Sequence, residues 1–187
     1  MIFLADLARA ARPEYTHRAA PRRWGEMLHA LATEPSTWAI GEFRLRQWGA
    51  RQASPIRLVT KVAGLISQRL IDITTGIVIP TTARIGPGFH ITHYGGVIVN
   101  GQTHAGENFT LGHQTTIGLH DGGVPVFGDN VVVAPGARVV GGITVGDGAL
   151  IGLNAVVLKD VPSRHVASGV PATVRQDTRP MWLIGAE

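Results

Sequence analysis

Residues 127–157 read FGDNVVVAPGARVVGGITVGDGALIGLNAVV, and every sixth residue of this stretch is aliphatic or aromatic. Neither the helical period of 3.6 nor the strand period of 2 describes the pattern. The spacing of six extends back to Ile79, with two extra residues before Ala105 and four around Asp121-Gly122-Gly123. The positions that obey the rule are Ile79, Ile85, Ile91, Val97, Ala105, Leu111, Ile117, Phe127, Val133, Val139, Val145, Ile151 and Val157.

A period of six with one inward aliphatic residue per unit predicts a triangular β-solenoid. Each unit supplies a short strand and a corner, three units make a coil, and coils stack at the strand spacing of about 4.8 Å. Glycine often follows the apolar position, as in Ile117-Gly118 and Ile151-Gly152, where a sharp corner is expected. The region has room for about four coils, and its aliphatic column would form one continuous core.

The composition narrows the class of protein. Of 187 residues, 44% are hydrophobic and 16% are charged, which excludes a disordered chain, and 24 glycines are too many for a helical bundle. The absence of cysteine excludes disulfides, a thiol nucleophile and cysteine-ligated zinc, and it favours a cytoplasmic location. No apolar run approaches about 18 residues, so neither a signal peptide nor a membrane span is expected.

The N-terminal 75 residues have helical patterns instead. Ser54-Pro55 is interpreted as the N-cap and first residue of an amphipathic helix that ends near Ile71. Trp24–Leu31 and Trp38–Trp48 are weaker helix candidates, and the three tryptophans are interpreted as core anchors. The sequence thus predicts a helical segment over 1–75, a solenoid domain over 76–174 and a tail over 175–187.

Charge separates the same two regions. Residues 1–75 contain eleven Arg or Lys against six Asp or Glu, a net charge of +5, whereas residues 76–187 contain six against seven, a net charge of −1. We interpret the basic arm as a solvated helical surface, with contact to an anionic partner or membrane face as the alternative. Nothing resembles a nucleic-acid-binding module.

The solenoid register places two histidines together. His93 lies two residues after Ile91 and His113 two residues after Leu111, and these inward positions are three units apart. His113 should therefore lie one coil above His93 on the same face. An imidazole there could act as a general base, with a plain surface histidine as the competing interpretation. The remaining histidines of this region are expected to be solvated: His90, His104, His120 and His165.

Residues Thr74–Val174 resemble the hexapeptide-repeat acetyltransferases, in particular their serine acetyltransferase-like branch. The resemblance rests on ARIGPGFHITHYGGVIVN at 83–100, TTIG at 115–118, NAVVLKDVP at 154–162 and SGVPA at 168–172. It implies a left-handed parallel β-helix that transfers acetyl from acetyl-CoA, as co-substrate, to a hydroxyl group. It also implies a homotrimer or a dimer of trimers.

The resemblance assigns roles to individual positions. His93 matches the catalytic histidine of the family's His-x-x-Gly-hydrophobic motif, which deprotonates the acceptor hydroxyl for direct attack on the thioester. By position, coenzyme A would lie against small and backbone groups of the later coils, each of which could equally be a packing or corner residue. These positions are Gly118, Ala134, Gly136, Gly152, Leu153, Lys159, Val170 and Pro171.

Several positions depart from the serine acetyltransferase pattern. The carboxylate that orients the catalytic histidine is replaced by Val78, the aspartate before that histidine by Thr92, and the loop histidine by Val124. We hypothesise that a backbone carbonyl or His113 fixes the His93 tautomer instead. The acceptor stays open among L-serine, a related amino acid and a sugar unit, and pairing with cysteine synthase is not expected.

Two rival functions remain. Solenoid trimers of the γ-carbonic-anhydrase type carry three-histidine zinc sites, and His93, His113 and His120 could be tried as ligands, but their spacing is a weak signal and no metal site is expected. Loss of the orienting carboxylate would also suit a catalytically silent scaffold protein.

Overall fold

The computed structural model describes residues 2–10 and 24–176, which form an N-terminal helical arm followed by a β-solenoid. The arm consists of α1 (Ile2–Ala10), α2 (Trp24–Thr33), α3 (Pro35–Ala50) and α4 (Ile56–Thr75). Helix α4 ends at Gly76, which adopts a left-handed conformation with φ of 65° that glycine accommodates without strain. The chain enters the solenoid directly after this residue.

Short strands stack in three sheets, one on each face of a triangular coil. Face 1 contains β1 (Ile77–Val78), β4 (Val97–Val99), β7 (Thr116–Gly118), β10 (Arg138–Val140) and β13 (Val156–Val157). Face 2 contains β2 (Arg84–Ile85), β5 (His104–Ala105), β8 (Val126–Phe127) and β11 (Thr144–Val145). Face 3 contains β3 (His90–Ile91), β6 (Thr110–Leu111), β9 (Val132–Val133), β12 (Leu150–Ile151), β14 (His165–Gly169) and β15 (Ala172–Gln176).

The pairing of these strands confirms the predicted solenoid. Neighbours within each face are parallel, and on face 3 the register aligns Ile91 with Leu111, Leu111 with Val133, and Val133 with Ile151. Only the last described pair, β14 with β15, is antiparallel. Face 1 has strands at five levels, so the solenoid makes about five turns, one more than the four expected.

The predicted inward column forms the core. Twelve of the thirteen hexad positions are buried, and Ala105 is half-buried and packs against them. A second buried column, two residues before the first, was missed. It includes Phe89, Phe109, Val131 and four alanines, and the Phe109 ring lies 6.1 Å from Phe89 and 4.8 Å from Phe127 between centroids. Most units therefore bury two side chains rather than one.

Buried polar contacts hold the arm against the first coil. Arg44 donates from Nε to Asp6 Oδ2 at 2.7 Å, and its terminal nitrogens donate to the carbonyl oxygens of Ile85 and Gly86 at 2.8 and 2.7 Å. Asp6 Oδ1 accepts a hydrogen bond from the Phe89 backbone at 2.9 Å. Burial raises the pKa of Asp6 above its usual value, while the hydrogen bond and charge of Arg44 oppose that shift.

Two further α3 side chains bind first-coil carbonyl groups. Arg46 donates to the Ile79 oxygen at 3.0 Å, and Gln47 donates to the Ala83 oxygen at 2.9 Å. Strands β1, β2 and β3 are terminal strands of their sheets, so this coil is an open edge of the solenoid. The arm therefore caps the edge that the repeats leave unpaired.

Two expectations for the arm were wrong, and one helix was not foreseen. Helix α4 begins at Ile56 with Pro55 as its N-cap and no capping side-chain hydrogen bond, so Ser54 does not cap it. Trp38 and Trp48 are 46% and 52% exposed and are not core anchors. The indole of Trp38 donates a hydrogen bond to the Leu31 carbonyl, and the side chain of Trp24 lies outside the described atoms. Helix α1 was not anticipated.

The helices end and the strands begin at the predicted border near residue 75, and the division into domains otherwise stays a prediction. The tail over 175–187 lies largely outside the described residues, although Arg175 and Gln176 belong to β15. Within the described ranges, no helix is both long and apolar enough to cross a membrane.

Candidate active site

His93 and His113 meet at the corner between faces 3 and 1, which we call the histidine corner. It comprises residues 92–96, 112–115, 134–137 and 152–155, which follow β3, β6, β9 and β12. The two imidazole centroids are 5.9 Å apart and the rings are tilted by 57°. The stacking predicted from the register is thus present. The His93 side chain is exposed, whereas His113 is half-buried.

Polar atoms of β3 and of the histidine corner lack hydrogen-bond partners. Among the described residues, Nδ1 of His113, Nδ1 of His90 and Oγ1 of Thr92 are enclosed and make no hydrogen bond. An enclosed polar atom that lacks a partner costs free energy, on the order of 1–3 kcal/mol each. Buried groups without partners are uncommon in folded proteins, and these three belong to β3 and the histidine corner.

His90 is the residue whose environment was misjudged. It was expected to be solvated, but α1 and α3 pack over β3 and enclose it. Burial lowers the pKa of His90 to about 4, and the nearby charges of Arg9 and His93 act in the same direction. His90 is therefore neutral at pH 7. No local pattern predicts this enclosure, since the helices that cover His90 are remote along the chain.

Most of the positions assigned to coenzyme A continue the histidine corner upward. Ala134, Gly136, Gly152 and Leu153 belong to the next two levels, above His113. Val170 and Pro171 form the turn between β14 and β15, whose register places β14 directly above β12. Leu153 and Val170 are 68% and 71% exposed, so this stretch presents apolar side chains to solvent in the single chain.

Gly118 and Lys159 lie elsewhere. They follow the inward positions of β7 and β13 at the corner between faces 1 and 2, so within one chain the predicted coenzyme set occupies two different corners. Lys159 is exposed. A Cβ added to Gly118 would approach Val140 Cγ1 at 3.2 Å, a packing reason for glycine at this position.

Among the described residues, no carboxylate forms an ion pair with His93 in place of the one that Val78 replaces. Val78 is half-buried on β1 and pairs with Ile98 on β4. No hydrogen bond joins the rings of His93 and His113, so a direct contact does not fix the tautomer in the single chain. The orienting role of His113 or of a backbone carbonyl stays a hypothesis.

The three histidines considered as zinc ligands do not converge in one chain. His120 lies in the loop after β7, bridges to Gly123 and contacts Asp121 at 3.2 Å. Across residues 2–10 and 24–176, no group of three or more His, Cys, Asp or Glu side chains is arranged to hold a metal ion.

Relatives with established names match this chain, although a scan of protein-family profiles finds no match. The serine acetyltransferase of Helicobacter pylori is 40% identical over 121 residues, which cover 62% of this chain and 70% of that protein. The chain belongs to the serine acetyltransferase family. The serine acetyltransferase of Mycobacterium tuberculosis is 33% identical over 157 residues, covering 82% of this chain but 66% of the relative, just under two thirds of its length.

Solved serine acetyltransferases have the same fold. The soybean enzyme complexed with serine aligns with a TM-score of 0.75 and 31% identity, covering 93% of this chain and 68% of that one. The Brucella abortus enzyme in complex with coenzyme A aligns with a TM-score of 0.77 and 23% identity, covering 95% of this chain and 68% of that one. At this identity the likeness shows the fold alone. These neighbours have left-handed β-helices, which confirms the predicted fold class.

Proposed function

We propose that this protein transfers the acetyl group of acetyl-CoA to the hydroxyl group of serine, or of a closely similar small polar acceptor. The observation that carries the proposal is the exposed imidazole of His93, set beside His113 on the framework of a serine acetyltransferase family member. The serine complex of the soybean relative supports the choice of acceptor, and membership of the serine acetyltransferase family supports acetyl transfer.

In the proposed reaction His93 acts as a general base. Its neutral imidazole takes the proton of the acceptor hydroxyl as the oxygen attacks the thioester carbonyl carbon. The tetrahedral intermediate then collapses, the carbon–sulfur bond breaks, and the imidazolium returns the proton to the departing thiolate of coenzyme A. Proton transfer of this kind contributes roughly 10²- to 10⁴-fold to the rate.

The unpartnered atoms near His93 suit a hydroxylated acceptor. Thr92 Oγ1 can both donate and accept a hydrogen bond, and Nδ1 of His113 can do either according to its tautomer. These groups would orient the acceptor beside His93. Coenzyme A would run along the levels above, where Ala134, Gly136 and Gly152 leave room for close approach by its pantetheine arm.

The test is acceptor-dependent release of free coenzyme A. His93→Ala should lower kcat/KM for serine by roughly 10²- to 10⁴-fold, because the proton acceptor is lost. His104→Ala removes an exposed imidazole on face 2 and serves as the matched control with wild-type activity expected. Full activity in His93→Ala would refute the mechanism, and a flat response to serine alongside a response to amino sugars would refute the acceptor.

His113 is a candidate positioning residue within the same experiment. If it holds the His93 tautomer, His113→Ala should shift the acid limb of the pH–rate profile as well as lower kcat, whereas loss of packing alone would leave the profile in place. An unchanged profile would leave the backbone carbonyl as the orienting group.

We further propose that the protein works as a homotrimer or a dimer of trimers in the cytoplasm. A slender solenoid gains buried area by lateral association, and Leu153, Val170 and Ile98 on its sides are at least half exposed in the single chain. Association would also allow the corner that holds Gly118 and Lys159 to face the histidine corner of a second chain. One coenzyme site would then draw on two chains.

A further inference from the structure

A second concave site lies in the helical arm, away from the histidine corner. It is a cavity of about 410 Å³ at the junction of α3, α4 and the first corner of the solenoid. This volume falls within the range of small-molecule sites. Its lining residues are Arg46, Ala50, Arg57, Thr60, Lys61, Gly64, Leu65, Gln68 and Thr81.

The lining contains three cations and no carboxylate. Arg57 and Lys61 are one helical turn apart on α4, and Arg46 faces them from α3. Like charges at this spacing destabilise a helix by a few tenths of a kcal/mol unless a counter-charge lies between them. Among the described residues, neither Arg57 nor Lys61 is in an ion pair with a carboxylate.

Arg46 is held in place rather than loosely exposed. Its side chain is only 10% exposed, its Nε donates to Glu42 Oε1 at 2.6 Å and its Nη2 donates to the Ile79 carbonyl at 3.0 Å. A guanidinium carries five N–H donors, so donors remain for a ligand in the cavity. Glu42, together with Asp72, lowers the net charge behind Arg46, but neither carboxylate lines the cavity.

The orientation of α4 brings cations of two helices to the same cavity. This helix turns its polar stripe, with Arg57, Lys61 and Gln68, toward α3 and the solenoid. Its apolar stripe faces outward, with Val59 and Ile66 67% and 63% exposed. Water would hydrate Arg57 and Lys61 equally well if they lay on the outer face of α4. An anion that both helices contact would offset the repulsion among the three charges.

We propose that this cavity binds a small phosphate monoester. A dianionic phosphate would receive charge-assisted hydrogen bonds from Arg46, Arg57 and Lys61, and Arg can contact two phosphate oxygens at once. Gln68 supplies a neutral amide donor. Ala50 and Leu65 form an apolar wall for the organic part of the ligand. The site is separate from the acetyl-transfer centre and would bind its ligand in the absence of acetyl-CoA.

The experiment measures binding of inorganic phosphate and of phenyl phosphate to the full chain by calorimetry, at constant ionic strength set with chloride. Wild-type protein should bind both saturably, with phenyl phosphate tighter because its ring contacts the apolar wall. The double variant Arg57→Gln/Lys61→Gln should bind roughly tenfold or more weakly, since two charge-assisted hydrogen bonds are lost. Both side chains are exposed, so circular dichroism should show an unchanged fold.

Arg69→Gln is the matched control, because Arg69 is an exposed cation of the same helix that does not line the cavity. Its affinity for phenyl phosphate should stay within about twofold of wild type. Equal weakening in the control and the double variant would reduce the effect to general electrostatic attraction and overturn the proposal. Absence of saturable binding to wild-type protein, or undiminished binding to the double variant, would overturn it as well.

Discussion

The solenoid buries its apolar column, whereas helix α4 of the arm exposes its apolar stripe. In the solenoid, Phe109, Ile91 and Leu111 are 0% exposed, and the core is completed within one chain. In the arm, the apolar stripe of α4 faces outward, with Leu58 at 63% and Ile73 at 80% exposed. A helix with its apolar face in solvent marks an interaction surface. The solenoid thus specifies its own fold, whereas the outer face of the arm is built for contact with another surface.

The largest effect on stability is expected in the solenoid core. Phe109→Ala removes the ring between Phe89 and Phe127 and should lower the free energy of unfolding by about 3–5 kcal/mol, because the surrounding coils cannot collapse into the cavity. The matched substitution Leu58→Ala, on the exposed stripe of α4, should change it by less than about 0.5 kcal/mol. Chemical denaturation measures both. Equal losses would contradict the contrast between the two regions.

A middle-sized effect is expected where the two regions meet, at His90. Its pKa of about 4 in the fold lies below the 6.5 of an unperturbed histidine, so the unfolded chain takes up a proton first as the pH falls. Stability should therefore decrease between pH 6.5 and 4, by about 2 kcal/mol from pH 7 to pH 5. His90→Gln should remove this share of the acid sensitivity, measured by denaturation across that range.

The control for His90 is His104→Gln, which removes an exposed histidine from face 2 and should leave the pH dependence as in wild type. If His90→Gln and wild-type protein lose the same stability on acidification, the enclosure of His90 by α1 and α3 is not what makes the fold less stable at low pH.

The smallest change in stability is expected from a substitution in the outer apolar stripe of α4, although such a substitution should alter assembly. Ile66→Ser should change the intrinsic stability by less than about 0.5 kcal/mol, since the side chain is 63% exposed. If a second chain covers the stripe, the mass measured by sedimentation should fall toward a smaller assembly. An unchanged mass would show that this stripe is not part of an interface in the proposed trimer or dimer of trimers.

The fold was predictable because the solenoid repeats a local rule. One column of hexad positions was enough to place strands, corners and the His93–His113 stack. The second column escaped notice because alanines such as Ala137 and Ala149 and polar residues such as Thr103 occupy it, so no hydrophobic period is visible at that offset. These small alanine and threonine side chains fit the interior of the corners because of their size and shape, not because of their polarity.

The arm was less predictable because its contacts are remote along the chain. The pairing of Asp6 with Arg44 and the enclosure of His90 depend on which helix faces the first coil, and no local pattern encodes that choice. The same applies to Gly118 and Lys159, which single-chain geometry separates from the other positions assigned to coenzyme A. Motif matching assigns them to one site without regard to which chain contributes them.

The contacts of α3 with the first coil also limit how molecules of this protein can join. An uncovered strand edge is a template on which another solenoid could add and extend into a filament. Arg44, Arg46 and Gln47 already occupy carbonyl oxygens of that edge. The arm therefore prevents another solenoid from adding end to end at this edge. The sides of the solenoid stay accessible to lateral contacts.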